Sequence, residues 1–397
     1  MPDGYEKKRL VVCLDGTWND QDSESTITNV VKIMRCVKAH DAKGNPQVTF
    51  YDAGVGTGNK LDRLMGGAFG KGLEDNVLDG YRFLANNYEP GDEIFIFGFS
   101  RGAYTARTLA GLVCKFGLMT KTNLYRVGEA WRCFKAQQDL PADLMAAQHD
   151  VGVECLGVWD TVGALGIPET VLDKVGLTSK QKKKYRFLDI TLSSKVRCAF
   201  HAIAIDEKRA PFRPTLWQKK IGEELTPGRV VEQVWFPGVH SDLGGGYAEH
   251  GLSDNALRWM LRRTGEETGL ELDPSHVALN MDETQPTAAM HDSLTALYLM
   301  SKMIKYDRPI LGVPFERGFF GRMRFGTPGD DEKYSDLKGG NEYHPQALHQ
   351  TAADRLGQSV EVVTKLGSDG RAAKTVIETY APVNLPKDKI SGIKIVP

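Results

Sequence analysis

The sequence predicts an α/β fold, with a mainly parallel sheet covered by helices on both faces. Two observations carry this: short apolar runs alternate with helix-period segments, and most of those runs end in glycine or polar residues. The first run, residues 10–14 (LVVCL), ends in Asp15-Gly16-Thr17-Trp18-Asn19. Residues 28–37 follow as a helix, with Val30, Val31, Ile33, Met34 and Val37 on one face. Residues 47–51 form the next strand. Beyond a glycine-rich stretch, residues 73–84 read as a helix, 93–97 as a strand and 101–116 as a helix. Further strands are expected at 153–159, 198–205 and 230–236, and a strand pair at 360–364 with 374–380. Segments 116–150, 167–192 and 284–348 exceed a minimal α/β sheet. Long insertions at strand ends are where such folds place substrate-binding caps, so one domain over 1–397 with three cap segments is expected.

Composition narrows the function classes. The 397 residues are 41% hydrophobic and 25% charged, enough for a large core. Lys and Arg total 50 against 51 for Asp and Glu, a net charge of -1, which argues against nucleic acid as a partner. The basic run KQKKKYR (180–186) reads as a solvated surface segment. Cys13, Cys36, Cys114, Cys133, Cys155 and Cys198 show no CxxC spacing, so neither a zinc site nor a disulfide framework is indicated. The N-terminus lacks the apolar core of a signal peptide, and no run approaches the roughly 20 apolar residues of a membrane span. The chain is expected to be cytoplasmic as synthesised.

The chemistry concentrates in Gly98-Phe99-Ser100-Arg101-Gly102, a G-x-S-x-G pattern between a strongly apolar strand and a helix. In that context the glycines permit a sharp strand-to-helix turn that lifts the serine hydroxyl clear of the sheet, as in α/β-hydrolases. A serine hydroxyl is a weak nucleophile at neutral pH and needs a histidine base and an orienting carboxylate, which follow in the order acid, histidine in this fold. His240, in VWFPGVHSDLGGGY, is the candidate base, since it sits in a glycine-rich turn just after a strand. His201, inside an apolar strand, reads as a core histidine. Two acids compete: Asp160 ends the strand VECLGVWD, and Asp206 ends the next one. Asp242 is too close to His240 in sequence to need the sheet and reads as a brace for the glycine turn. The oxyanion hole is expected from the N–H of Arg101 at the helix start and from Gly16 or Thr17 after the first strand. GVGTG (54–58) is a candidate anion nest. GGAFGKG (66–72) lacks phosphate-loop spacing and reads as a flexible loop beside the pocket. The mechanism requires no metal or cofactor.

Six motifs in order, LDGTWN, YDAGVGT, GFSRGAYTAR, VWDTVGALG, AIDEKRAPFRPTLW and PGVHSDLGGGY, extend this reading. Over residues 9–261 the chain resembles the DUF2235 α/β-hydrolase domain family, which includes type VI secretion phospholipase effectors. The resemblance implies a serine esterase acting on phospholipid acyl chains, with Ser100 as nucleophile, Asp160 as acid and His240 as base. It also implies an ester or lipid substrate, transient contact with a membrane surface, delivery by type VI secretion and, for a secreted effector, an immunity protein. Phe315, Phe319, Phe320, Met323 and Phe325 would give the third cap segment an apolar, arginine-rimmed face suited to lipid. The alternatives are an esterase for small soluble esters or polyesters, and a catalytically idle binding module.

Overall fold

Alternate side chains of the strands feed two separate cores, which explains why the apolar runs are continuous rather than alternating. In the first strand Leu10, Val12 and Leu14 enter one core while Val11 and Cys13 enter the other. In the third, Ile94 and Ile96 part from Phe95, Phe97 and Phe99 in the same way. The computed structural model describes residues 6–16, 26–54, 68–162, 192–209, 212–294, 307–308, 310, 341–366, 372–385, 390–391 and 393–397.

The strands of the main sheet are β1 (Arg9–Leu14), β2 (Gln47–Asp52), β3 (Glu93–Phe99), β4 (Val153–Trp159), β5 (Val196–Ala204), β6 (Val230–Phe236), β7 (Gln346–His349) and β8 (Lys394–Val396). Their spatial order is β8-β7-β6-β5-β4-β3-β1-β2, and every neighbouring pair is parallel. From β1 the chain runs out to β2 and then returns to β3 on the other side. Ligands in open parallel sheets bind outside the carboxyl ends of the strands at such a reversal. The expected architecture, a mainly parallel sheet with helices on both faces, is therefore the one observed.

Helices α1 (Asn29–Cys36), α2 (Ala68–Asn87) and α3 (Arg101–Phe116) match the expected positions. Thr28 caps α1 by accepting from the Val31 N–H, satisfying one of the orphan donors at a helix start. One expectation is corrected: residues 68–72 of the glycine run 66–72 are helical, not a loop. The buried ridge of Leu73, Val77, Leu78, Tyr81 and Leu84 docks α2 on the sheet and outweighs the low helix propensity of glycine.

Residues 116–150 hold the helix α4 (Val127–Ala136) and a short strand pair, Leu118–Met119 with Gln148–His149. Val127, Ala130, Trp131, Leu140 and Leu144 pack into the first core with α2 and α3. This segment begins at the end of the 16-residue α3 remote from Ser100, about 24 Å along the helix. Residues 167–191, and within 284–348 all of Phe315, Phe319, Phe320, Met323 and Phe325, lie outside the described residues.

Several elements go beyond those expected. The helix Gly251–Thr268 lies on the second core through Ala256, Leu257, Trp259, Met260 and Leu261. Its buried Ser253, Asp254, Asn255 and Arg258 interrupt the apolar period that would have announced it. At four and three residues, β7 and β8 are too short to show a period. The anticipated strand pair forms as Ser359–Leu366 antiparallel to Ala372–Thr379, and Met290–His291 adds a parallel strand to it. No helix among the described residues is long and apolar enough to cross a membrane.

Candidate active site

The turn from β3 into α3 explains the two glycines. A Cβ on Gly98 would lie 2.5 Å from the Gly102 carbonyl oxygen, and a Cβ on Gly102 would collide with the Leu14 carbonyl of β1. Only glycine lets the strand turn into the helix against the neighbouring strand. Between them Ser100 is held at φ 58°, ψ −120°, a conformation unfavourable for any residue with a Cβ. Its N–H donates to the Trp159 carbonyl of β4 at 3.0 Å, so the sheet itself fixes the turn.

His240 follows β6 and begins a one-turn helix, α5 (His240–Gly244). Its Nε2 lies 2.7 Å from Ser100 Oγ and its Nδ1 lies 2.5 Å from Asp160 Oδ2. The ring is gripped between Phe99 and Phe212, at centroid distances of 4.6 and 4.8 Å. Its backbone N–H donates to the buried Glu207 Oε2 at 3.3 Å. Asp160 directly follows β4 at φ 41° and is fully buried. Its Oδ1 accepts from the Ala204 N–H (3.0 Å) and from Arg308 Nη1 (2.6 Å), and its Oδ2 accepts from Arg308 Nη2 (2.9 Å).

Burial alone raises the Asp160 carboxyl, but Arg308 and His240 outweigh it and hold the group well below the usual carboxylate range. An ionised Asp160 accepts a hydrogen bond from the Nδ1–H of His240, which fixes the tautomer and leaves Nε2 as the acceptor facing the Ser100 hydroxyl. Burial pushes the His240 imidazole below its ordinary value, partly offset by Asp160. The imidazole is then neutral at neutral pH, the state a general base requires.

The rival candidates have other partners. Asp206 Oδ2 accepts from the Gly238 N–H (2.7 Å) and the Tyr380 hydroxyl (2.8 Å), and so braces the turn before His240 rather than the ring. Asp242 accepts from the Val239 N–H at 3.1 Å and from both the backbone and the ring of His291, as a brace for the glycine turn. His201 is buried within β5, where its Nε2 accepts from the Thr161 N–H at 3.2 Å. Burial lowers its imidazole to about 3.

Of the expected oxyanion donors, Arg101 is the first residue of α3, directly after Ser100. The loop after β1 lies against that same turn, as the contact of Gly102 with the Asp15 carbonyl requires. Asp15 organises the loop, with its side chain accepting from Thr28 Oγ1 (2.5 Å), the Tyr51 hydroxyl (3.0 Å) and the Gly16 N–H (2.7 Å). The Gly16 N–H is therefore committed to Asp15, and Thr17 lies outside the described residues. Of the GVGTG nest only Gly54 is described, with φ 76° and so little room that a Cβ there would lie 2.6 Å from the Asp15 carbonyl oxygen.

Residues 8–263 match the family model described as "T6SS, Phospholipase effector Tle1-like, catalytic domain". The chain belongs to this family. The Tle1-like region thus contains Ser100, Asp160 and His240, while Arg308 lies beyond it. An uncharacterized protein of Saccharomyces cerevisiae is 26% identical over 235 residues, which are 52% of this chain and 32% of that protein. The chain therefore spans about a third of the length of this curated relative. Among solved structures, an uncharacterized protein from Pseudomonas aeruginosa aligns with a TM-score of 0.40 and 20% identity, covering 68% of this chain and 47% of that one. The Tle1 effector bound to the VgrG spike of the type 6 secretion system aligns with a TM-score of 0.35 and 18% identity, covering 62% and 52%.

Sequence reasoning missed Arg308, Glu207 and Phe212. The last two lie in AIDEKRAPFRPTLW, one of the ordered motifs, and their proximity to a strand end was the available signal. Arg308 stands 148 positions from Asp160 in no recognisable pattern.

Proposed function

We propose that this Tle1-like chain is a serine ester hydrolase of the phospholipase A type. The observation that carries the reading is the hydrogen-bonded series Ser100 Oγ, His240 Nε2, His240 Nδ1 and Asp160 Oδ2, at 2.7 and 2.5 Å. Ser100 attacks the acyl carbonyl while His240 takes its proton, and Asp160 stabilises the imidazolium that forms. His240 then returns the proton to the leaving glycerol oxygen, which frees the alcohol and leaves an acyl-serine. Water, activated by the same histidine, releases the fatty acid. The Arg101 N–H at the start of α3 is the oxyanion donor on which the reading rests, aided by the positive end of the helix.

The family description supports phospholipid as the substrate and type VI secretion as the route of delivery. The test is hydrolysis of defined phospholipid vesicles and of a p-nitrophenyl ester series by the purified chain. Serine-dependent fatty acid release from vesicles is expected. Turnover of short soluble esters alone would restrict the enzyme to small substrates, and neither turnover nor fluorophosphonate labelling would leave an idle fold.

Two further outcomes are expected. Asp206→Asn should leave turnover close to wild type and lower stability by about 1 kcal/mol, since it perturbs one braced turn. Specific activity and the urea midpoint check this. The acid limb of kcat/KM on a soluble ester should lie below about pH 6.5, because burial disfavours the charged imidazole of His240. Activity is retained as pH falls toward that limb and is lost once His240 protonates. A limb above the ordinary histidine value would contradict the assignment of His240 as base.

A further inference from the structure

The Asp160 carboxylate is saturated with donors, and two of them come from one side chain. Arg308 is 1% exposed and forks across both carboxylate oxygens at 2.6 and 2.9 Å. The guanidinium also donates to the carbonyls of Ala204, at 2.8 Å, and Phe212. Its own backbone is held in turn, because Asn384 Nδ2 donates to the Arg308 carbonyl (2.9 Å) and to the Ile205 carbonyl beyond β5 (3.0 Å). A planar fork on a carboxylate fixes its plane as well as its charge, which a lysine cannot do.

We infer that Arg308, seated by Asn384, is a positioning residue that locks the Asp160 carboxylate against His240 and sets the basicity of that imidazole. This rests on the triad reading above. Arg308 acts through Asp160, and both Arg308 and Asn384 lie beyond the family-matched region 8–263. The protein thus completes its acid with residues from the far part of the chain.

The electrostatic consequence follows from which charges face the ring. Asp160 meets Nδ1, Glu207 meets the His240 backbone N–H, Arg209 pairs with Glu207, and Arg308 lies behind Asp160, with His201 on β5 nearby. Phe99 and Phe212 cover the ring faces. An unpaired carboxylate would strongly favour the imidazolium, whereas a cation forked onto that carboxylate cancels much of its field. Arg308 therefore keeps His240 neutral to lower pH.

The test compares the wild-type chain with Arg308→Met, Arg308→Lys and Asn384→Ala. It reads kcat/KM against pH on a soluble p-nitrophenyl ester, and the His240 ring titration by NMR, which needs no turnover. Loss of the cation favours the charged ring, so in Arg308→Met both the titration and the acid limb should move up by about one pH unit. Its kcat should fall by about 10²-fold as the acid loses its fixed plane. Arg308→Lys and Asn384→Ala keep the charge and should lower kcat with the limb near wild type. A folded Arg308→Met protein with an unmoved His240 titration would overturn the inference. Should that variant not fold, Arg308→Lys carries the test, and wild-type kcat there overturns it. A wild-type chain without turnover would sink the proposed function, while the ring titration would still decide the role of Arg308.

Discussion

Ser100→Ala is expected to reduce hydrolysis by about 10⁶-fold while leaving the fold intact, on the scale seen when the serine of a Ser-His-Asp hydrolase is removed. The side-chain hydrogen bond lost is that from Ser100 Oγ to His240 Nε2. Alanine carries the same Cβ as serine, so the backbone at φ 58° is no more strained than before. Ser100 Oγ is the hydroxyl bonded to His240 Nε2, and activity retained in this variant would mean that the nucleophile lies elsewhere. Ser100→Gly separates chemistry from strain. It should be equally inactive, yet glycine takes this conformation without a Cβ clash, so the protein should gain about 1 kcal/mol. A higher urea midpoint for Ser100→Gly than for Ser100→Ala would show that the nucleophile is held at the expense of stability.

Why Ser100 was legible from the residues alone, and Asp160 only as one of two candidate acids, follows from the range of the forces involved. The turn around Ser100 is local: Gly98 and Gly102 are required by backbone contacts within five residues and with β1, so the pattern sits in the sequence. The strands were legible because parallel strands buried on both faces are apolar throughout, as at Ile94, Phe95, Ile96 and Phe97. Asp160 and Asp206 both end parallel neighbours in the sheet, and nothing local tells them apart. What separates them is tertiary: Tyr380 and Gly238 occupy Asp206, whereas His240 and Arg308 converge on Asp160. Arg308 itself had no signal, since a lone arginine gives no spacing from which to infer a distant carboxylate. The helix Gly251–Thr268 was obscured for a related reason, as its buried polar residues serve contacts elsewhere, such as Asp254 pairing with Lys32 at 2.6 Å.

Asp160→Asn is expected to reduce kcat by about 10⁴-fold, and the hydrogen bonds around the carboxylate say why. At the Oδ1 position the atom must accept from Ala204 N–H and Arg308 Nη1, so the amide oxygen of asparagine goes there. The amide nitrogen then falls at the Oδ2 position, where it faces a donor in Arg308 Nη2 and the ring nitrogen Nδ1 of His240. Nδ1 becomes an acceptor, the ring proton moves to Nε2, and the base can no longer take a proton from Ser100. The substitution also leaves the buried Arg308 without its counter-charge, and stability should drop by roughly 3–5 kcal/mol. The pH dependence of stability supplies an independent check. The folded-state carboxyl of Asp160 lies below its unfolded value, so its contribution is present above about pH 4 and is lost as pH falls from there. Urea unfolding between neutral and acid pH should therefore show a steeper decline in the wild type than in Asp160→Asn. Equal slopes would mean that Asp160 is not held ionised by Arg308 and His240, and the tautomer argument would fall with it.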